Sequence, residues 1–330
     1  MLRSIDEDQG IGIYTRNLVP RLLARDPNTE YVLIYRTPRF LGKFASCPNA
    51  TEVVLRTPTK PLWDQVGVPL VARRYDVDLI FNTKFTVPFG SGRPTAMMLH
   101  GSMWFTHPEF HNRLDVAYVR AFMPRYCAKA DHLISNSELT TNDFIRFVGL
   151  PRGKITTVHL AAGEWFKPVT DTDERERVRR KYGLPPKFIL TVTKYFPGKN
   201  IPVLFEAYRQ LPRERRGALV LVGRDVAKYV DDAGLRGTPL GDEIITPGWV
   251  DQRDLPAIYG MADLFAFPSR YEESGTPAVE AMASGCPVVT TTRPTRREPP
   301  ARPPLTAHPS APPAPTPGLA RAPQRRGPRD

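Results

Sequence analysis

Cysteine is scarce: Cys47, Cys127 and Cys286 stand far apart, and none belongs to a C-x-x-C pair. That excludes a disulfide framework and a cysteine-built zinc site, and it suits a reducing compartment. Long apolar runs are missing too; nothing reaches the roughly 18 residues that cross a bilayer. The opening MLRSIDEDQG lacks the basic-then-apolar order of a secretory leader. His107 and His111 are spaced like a helical metal pair, but Pro108 lies between them. With no H-E-x-x-H order and no third ligand nearby, no bound metal is expected. What remains is ordinary, 41% hydrophobic and 24% charged residues, in a chain of 330 long enough for two domains.

The net charge of +12 is unevenly spread. Residues 293–330 hold eight arginines against Glu298 and Asp330, so this stretch supplies +6 of it. Binding to nucleic acid, which total charge alone would suggest, loses half its support, and no recognised motif replaces it. The same stretch holds twelve of the 36 prolines and almost no large apolar residue beyond Leu305 and Leu319. A tail of that composition cannot bury enough surface to offset chain entropy, and it is expected to be disordered. It reads either as a natural Pro/Arg arm or as a reading frame lost near Thr292, and the abruptness favours the second.

Upstream of the tail, short β-rich runs alternate with helical stretches. Strands are expected at 31–35, 52–55, 77–81, 95–99 and 132–135, with helices at 12–24 and 114–130. The alternation then restarts, with strands at 188–192, 218–222, 243–245, 264–267 and 287–291 and helices at 201–211, 254–261 and 277–284. Such alternation implies parallel sheets covered by helices. The expected fold class is α/β, two Rossmann-like doubly wound domains facing a cleft. The domains are an N-terminal one over 1–165 and an incomplete C-terminal one over 166–292, followed by the tail 293–330. In such sheets ligands sit at the carboxyl ends of the strands.

Several residues stand where chemistry would be placed. Gly10 and Gly12 precede or open a helix, where free N–H groups accept an anion. The full G-x-G-x-x-G fingerprint is absent, which disfavours a nicotinamide dehydrogenase. Little chain precedes this loop, so a cut or misassigned N-terminus is expected. His100 follows the 95–99 strand and is placed to bond a hydroxyl or share a proton. Lys194 and Lys199 follow the 188–192 strand as a pair of cations suited to a diphosphate leaving group.

The stretch YEESGTPAVEAMASGCPVV holds Glu272 and Glu280, with Gly275, Thr276 and Pro277 between them. The glycine turn and Pro277 open a helix, so an anion cradle forms there. Glu272 stays on the loop, near the chemistry, while Glu280, about one turn inside the helix, can accept bonds from two ribose hydroxyls. Two carboxylates flanking one glycosidic bond, as a glycosidase needs, do not fit this layout.

The E-x7-E pattern within FPSRYEESGTPAVEAMASGCPVVTT resembles the donor-site signature of family 4 retaining glycosyltransferases, which have the GT-B fold. The likeness extends over 9–292: the Gly10–Gly12 loop with Tyr14-Thr15, His100 after a strand, Ser135-Asn136-Ser137, and the two lysines. The resemblance implies a UDP- or GDP-sugar donor, transfer with retention, and neither cofactor nor metal. It gives Glu272, His100, Lys194 and Lys199 the catalytic roles, and Gly10, Gly12, Gly275, Thr276 and Glu280 the donor contacts. The implied acceptor is a glycan or a lipid-linked one, so the expected place is the cytoplasm or the inner face of its membrane, with peripheral contact open. Two positions depart from the family: Lys194 replaces an arginine, and Gly101 stands where an aspartate often follows the histidine. The family's last elements give way to the tail, which would leave one edge of the second sheet open and that domain marginal. A non-catalytic fragment of a damaged gene and a nucleotide-sugar epimerase are the alternative readings.

Overall fold

The computed structural model describes residues 10–213, 216–272 and 275–291 together with the backbone of Leu305–Ala307. The chain divides into two compact units, Met1–His159 and Leu160–Asp330.

In the first unit helix α1 (Ile11–Arg25) precedes strands β1 (Tyr31–Tyr35) and β2 (Ala50–Val54), which pair in parallel. A helical run over 60–74 follows, made of Lys60–Leu62, a π-turn over Trp63–Gly67, and α2 (Val68–Arg74). Strands β3 (Ile80–Asn82), β4 (Thr95–Leu99), β5 (His132–Ser135) and β6 (Ile155–Thr157) then form a parallel four-stranded sheet in that order. Helices α3 (Arg113–Lys129) and α4 (Glu138–Val148) supply the crossovers on either side of β5. Ser137 caps α4 by accepting from the Thr140 N–H at 3.1 Å, and Gly149 ends it at φ 76°. Such a polar start and left-handed stop fix a helix locally before packing does.

The second unit opens on α5 (Thr172–Tyr182), with Asp171 as its cap, acids in its first turn and bases in its last. That charge order complements the helix dipole. Strands β7 (Phe188–Val192), β8 (Ala218–Val222), β9 (Ile244–Gly248), β10 (Leu264–Phe267) and β11 (Val288–Thr291) alternate with α6 (Ile201–Arg209), α7 (Ala227–Asp232), α8 (Leu255–Met261) and α9 (Thr276–Ala283). Strands covered on both faces need continuous apolar sequence rather than alternation, which is what FILTV, ALVLV and LFAF supply. One face of the sheet, with Ile189, Leu219, Leu221 and Leu264, packs with Leu204, Phe205 and Tyr208 of α6. The other, with Leu190, Val220 and Phe265, packs with Val178, Ile258 and Ala281. Asp254 at the start of α8 receives Arg177, Lys181 and the Tyr182 hydroxyl at 2.6–2.7 Å, which ties α5 to α8.

The sheet order is β12-β11-β10-β7-β8-β9, with β12 at Leu305–Ala307 pairing in parallel to β11. The edge of β11, expected to lie open, is thus paired along these three residues. The rest of 293–330 lies outside the described residues. Elsewhere the correction is small: β3 starts at Ile80 rather than 77. The helices α2, α4, α5 and α7 and the strand β6 were not anticipated.

Candidate functional site

The strand order places a switch point inside the second sheet. From β7 the chain moves outward through β8 to β9, then returns to the opposite side of β7 for β10 and β11. The loops leaving β7 and β10 therefore rise from adjacent strand ends at the switch point, the usual ligand position in an open parallel sheet. The loop after β7 runs over 193–200 and the loop after β10 over 268–275, of which 273 and 274 lie outside the described residues.

Hydrogen bonds sew these two loops together. Arg270 N–H donates to the Gly198 carbonyl at 2.9 Å, and the Asn200 amide donates to the Pro268 carbonyl at 3.2 Å. Asn200 adopts φ 58°, a conformation that asparagine tolerates better than most residues. Across this seam Lys199 Nζ reaches Glu272 Oε2 at 2.7 Å, with both side chains largely shielded, 20% and 16% exposed. The ammonium also lies 5.4 Å from the centre of the Phe267 ring. An ion pair that is shielded this far holds its geometry better than a surface bridge. Lys194 is exposed on the same loop, its ammonium over the Phe196 ring at 5.5 Å. The two predicted cations thus differ: Lys199 is locked to an acid and Lys194 faces outward.

Gly275 caps α9 at φ 61°. Among the described residues a Cβ there would meet only Glu272 Cγ at 3.9 Å, and the positive φ is what favours glycine. Thr276 and Pro277 open the helix, and Ala278 N–H returns to the Gly275 carbonyl at 2.9 Å. Within α9, burial pushes the Glu280 carboxyl up to about 7, and Tyr259 Oη donates to its Oε2 at 3.4 Å. Glu280 therefore keeps its proton well above the ordinary carboxylate range, a state that the ribose role inferred from its position did not anticipate.

Of the remaining predicted residues, Gly10, Gly12 and His100 belong to the first unit. Gly10 is the φ 44° cap of α1, and Gly12 is buried in its first turn. Two consecutive residues of α1 meet His100 and its neighbour Thr83. The Tyr14 ring stands edge-on to the His100 ring at 5.0 Å, and Thr15 Oγ1 lies 3.1 Å from Thr83 Oγ1. His100 Nε2 lies 2.7 Å from the Thr83 carbonyl, which can only accept, so this nitrogen carries the proton. The proton-sharing expectation for His100 is thereby narrowed to Nδ1. Asn136 supports the loop from below, donating to the His100 carbonyl at 3.0 Å while its own oxygen accepts from Thr140.

Gly223, Tyr229 and Tyr259 were missed. Gly223 ends β8 at φ 137°, and a Cβ there would fall 1.6 Å from the Thr193 carbonyl oxygen, so only glycine lets the two strand ends approach. Tyr229 Oη accepts from the Phe196 N–H at 2.8 Å and lies 3.1 Å from the Lys194 carbonyl, bracing the lysine loop. Gly223 sits after an apolar run, a detectable signal; the tyrosines lie dozens of residues from their partners and have none. Among the described residues no group of three or more His, Cys, Asp or Glu is placed to hold a metal ion.

Residues 9–161 match the sequence model of Glycosyltransferase Family 4, and residues 174–298 match that of Glycosyl transferases group 1. The chain is 29% identical over 301 residues to O-antigen chain mannosyltransferase B of Escherichia coli, covering 85% of this chain and 78% of that relative.

The chain is a family 4 glycosyltransferase.

Other relatives of this glycosyltransferase match over part of their length. Mannosylfructose-phosphate synthase of Agrobacterium fabrum is 31% identical over 171 residues, 49% of this chain and 37% of that relative. In structure, the glycosyltransferase resembles Anabaena HepE bound to UDP-glucose, with a TM-score of 0.70 at 19% identity over 94% of this chain and 85% of that one. Sucrose-phosphate synthase of Thermosynechococcus elongatus superposes with a TM-score of 0.72 at 20% identity, covering 97% and 87%. At such identities the likeness is one of fold, and the fold is GT-B. The group 1 match stops at residue 298, close to the change of composition at Arg293.

Proposed function

We propose that this glycosyltransferase moves a hexosyl group, with retention, from a nucleoside diphosphate sugar to a glycan or lipid-linked glycan acceptor on the cytoplasmic side of a membrane. The observation that carries the reading is the Lys199–Glu272 pair, which bridges the two loops of the β7/β10 switch point at 2.7 Å. Support for the donor class comes from HepE, whose structure holds UDP-glucose. The mannosyl names of the Escherichia coli and Agrobacterium relatives favour mannose as the sugar.

In this reading the donor diphosphate takes Lys199 from Glu272, and Lys194 joins it. Their charge offsets the negative charge that grows on the diphosphate as its bond to the anomeric carbon breaks. The acceptor oxygen bonds to that carbon on the same face, and its proton passes to the departing phosphate oxygen. Released from Lys199, Glu272 accepts from the sugar hydroxyls, and Gly275 and Thr276 present N–H groups at the start of α9. Ionised Glu280 accepts from the ribose hydroxyls. The family resemblance gives His100, held by Thr83 and Asn136, a sugar-contact role, and gives Gly10 and Gly12 a donor-binding role.

The test is transfer from GDP-mannose and UDP-glucose to a mannose-terminated oligosaccharide, with the anomeric configuration of the product read by NMR. An α-linked product from an α-linked donor is expected. An inverted product refutes retention, and donor turnover without acceptor, yielding an epimer, refutes the transferase reading.

A further inference from the structure

The loops at the ends of β7 and β10 hold a cation that the reaction as written above does not use. Arg270 is the one arginine within residues 193–200 and 268–275. Its backbone N–H donates to the Gly198 carbonyl at 2.9 Å, so it sits against the residue that precedes Lys199. From there its Nε reaches back across the seam and lies 3.4 Å from Asn200 Oδ1. Lys199 crosses the same seam the other way, from the loop after β7 to Glu272 on the loop after β10. Two cations therefore straddle one junction.

Their surroundings differ. Lys199 is matched by the Glu272 carboxylate at 2.7 Å. Arg270 is exposed, and among the described residues no carboxylate pairs with it; a neutral amide oxygen takes one of its N–H groups. That amide belongs to Asn200, the N-cap of α6. The positive end of a helix dipole disfavours a neighbouring cation and favours an anion. Alone, then, the guanidinium is poorly placed; with an anion bound over the junction, the placement becomes favourable.

The donor brings such an anion. Each phosphate of its diphosphate carries negative charge, and more gathers there as the bond to the anomeric carbon breaks and leaves its electron pair on the phosphate oxygen. Against this, Lys194 and Lys199 supply two positive charges, but Glu272 stays in the site and cancels one of them. Charge shielded from water and left unmatched is costly. Arg270 makes up the difference. It also has what the lysines lack, a planar fork of donors that engages two phosphate oxygens at once.

We propose that Arg270 is a donor-binding residue, gripping the diphosphate from the loop after β10 while the two lysines act from the loop after β7. The inference rests on the nucleotide-sugar reading above and adds to it a residue and a mode of grip.

Calorimetric titration compares the full chain with Arg270→Gln and Arg270→Lys, using UDP and GDP, with UMP and GMP as controls. Glutamine keeps an amide N–H for Asn200 Oδ1 while removing the charge, so its thermal midpoint should stay with that of wild type. Its affinity for the nucleoside diphosphate that wild type binds should fall about tenfold or more, with a flatter salt dependence. Affinity for the matching monophosphate should fall clearly less. Lysine should restore the salt dependence but only part of the affinity, because the fork is lost. Unchanged diphosphate affinity in Arg270→Gln overturns this inference alone and leaves the donor site standing. Equal losses for diphosphate and monophosphate, or a loss that tracks a lowered thermal midpoint, would make Arg270 a loop staple and overturn it as well. Binding of neither UDP nor GDP by the wild-type chain sinks the donor reading together with it.

Discussion

Glu280→Gln removes a carboxyl that burial has pushed from the ordinary 4.5 up to about 7, yet leaves an oxygen for Tyr259 Oη to donate to. Between these values the folded chain holds a proton that the unfolded chain has released, so stability falls as pH rises and levels off above about 7. The full shift corresponds to about 3 kcal/mol at about 1.4 kcal/mol per unit, an upper limit because Glu280 retains some water contact. The variant should therefore match wild type near pH 4.5 and exceed it by about 1–3 kcal/mol at pH 8. Nucleotide affinity should move the other way. If ribose hydroxyls bond the ionised form, wild-type affinity for the nucleoside diphosphate rises with pH up to about 7 and then flattens, while the glutamine variant binds more weakly and without that rise. Denaturant unfolding at several pH values, paired with calorimetric titration, reads both quantities. A variant no more stable at pH 8, or one with wild-type affinity and pH profile, refutes the reasoning. A stability gain set against a binding loss is the expected mark of a strained functional group.

Three further outcomes follow from named contacts. Gly223→Ala should cost about 3 kcal/mol or more, because its Cβ overlaps the Thr193 carbonyl; an unchanged urea midpoint would show that the strand ends relax freely. In Asp254, burial favours the neutral acid, but the bonds from Lys181, Arg177 and Tyr182 outweigh it and hold the carboxyl at about 2. Its stabilisation of about 2 kcal/mol is present above pH 3.8 and lost as pH falls through 2, so Asp254→Asn should be less stable at pH 7 and equal to wild type below pH 2. Glu272→Gln should lower transfer by on the order of 10²-fold while tightening nucleoside diphosphate binding, since Lys199 is no longer held by an acid. Near-normal turnover would remove Glu272 from the chemistry.

Much of the second unit was legible because most of its strands are rich in apolar residues and its helices are punctuated by proline and glycine. The FILTV, ALVLV and LFAF strands lie where the apolar runs end. The extent of α5 was not, since TDERERVRRKY buries only Val178 and shows no apolar stripe; its caps and charge order make the helix. β6, with only Ile155 buried, was equally silent. At the site, the E-x7-E spacing and the lysine pair pointed to the loops after β10 and β7, because a β-α unit places such residues at a strand's carboxyl end. Their joining could not be read: Lys199 and Glu272 are brought together by the parallel pairing of β7 with β10, a long-range feature with no local trace. The same holds for Tyr259 against Glu280.

The most direct measurement titrates UDP, GDP and their sugars into the full chain and into Lys199→Ala. The account predicts saturable binding of one nucleoside diphosphate at a single site, at least about tenfold weaker in the variant. Equal affinity in both, or no nucleotide binding by the wild-type chain, would contradict a donor site at the ends of β7 and β10.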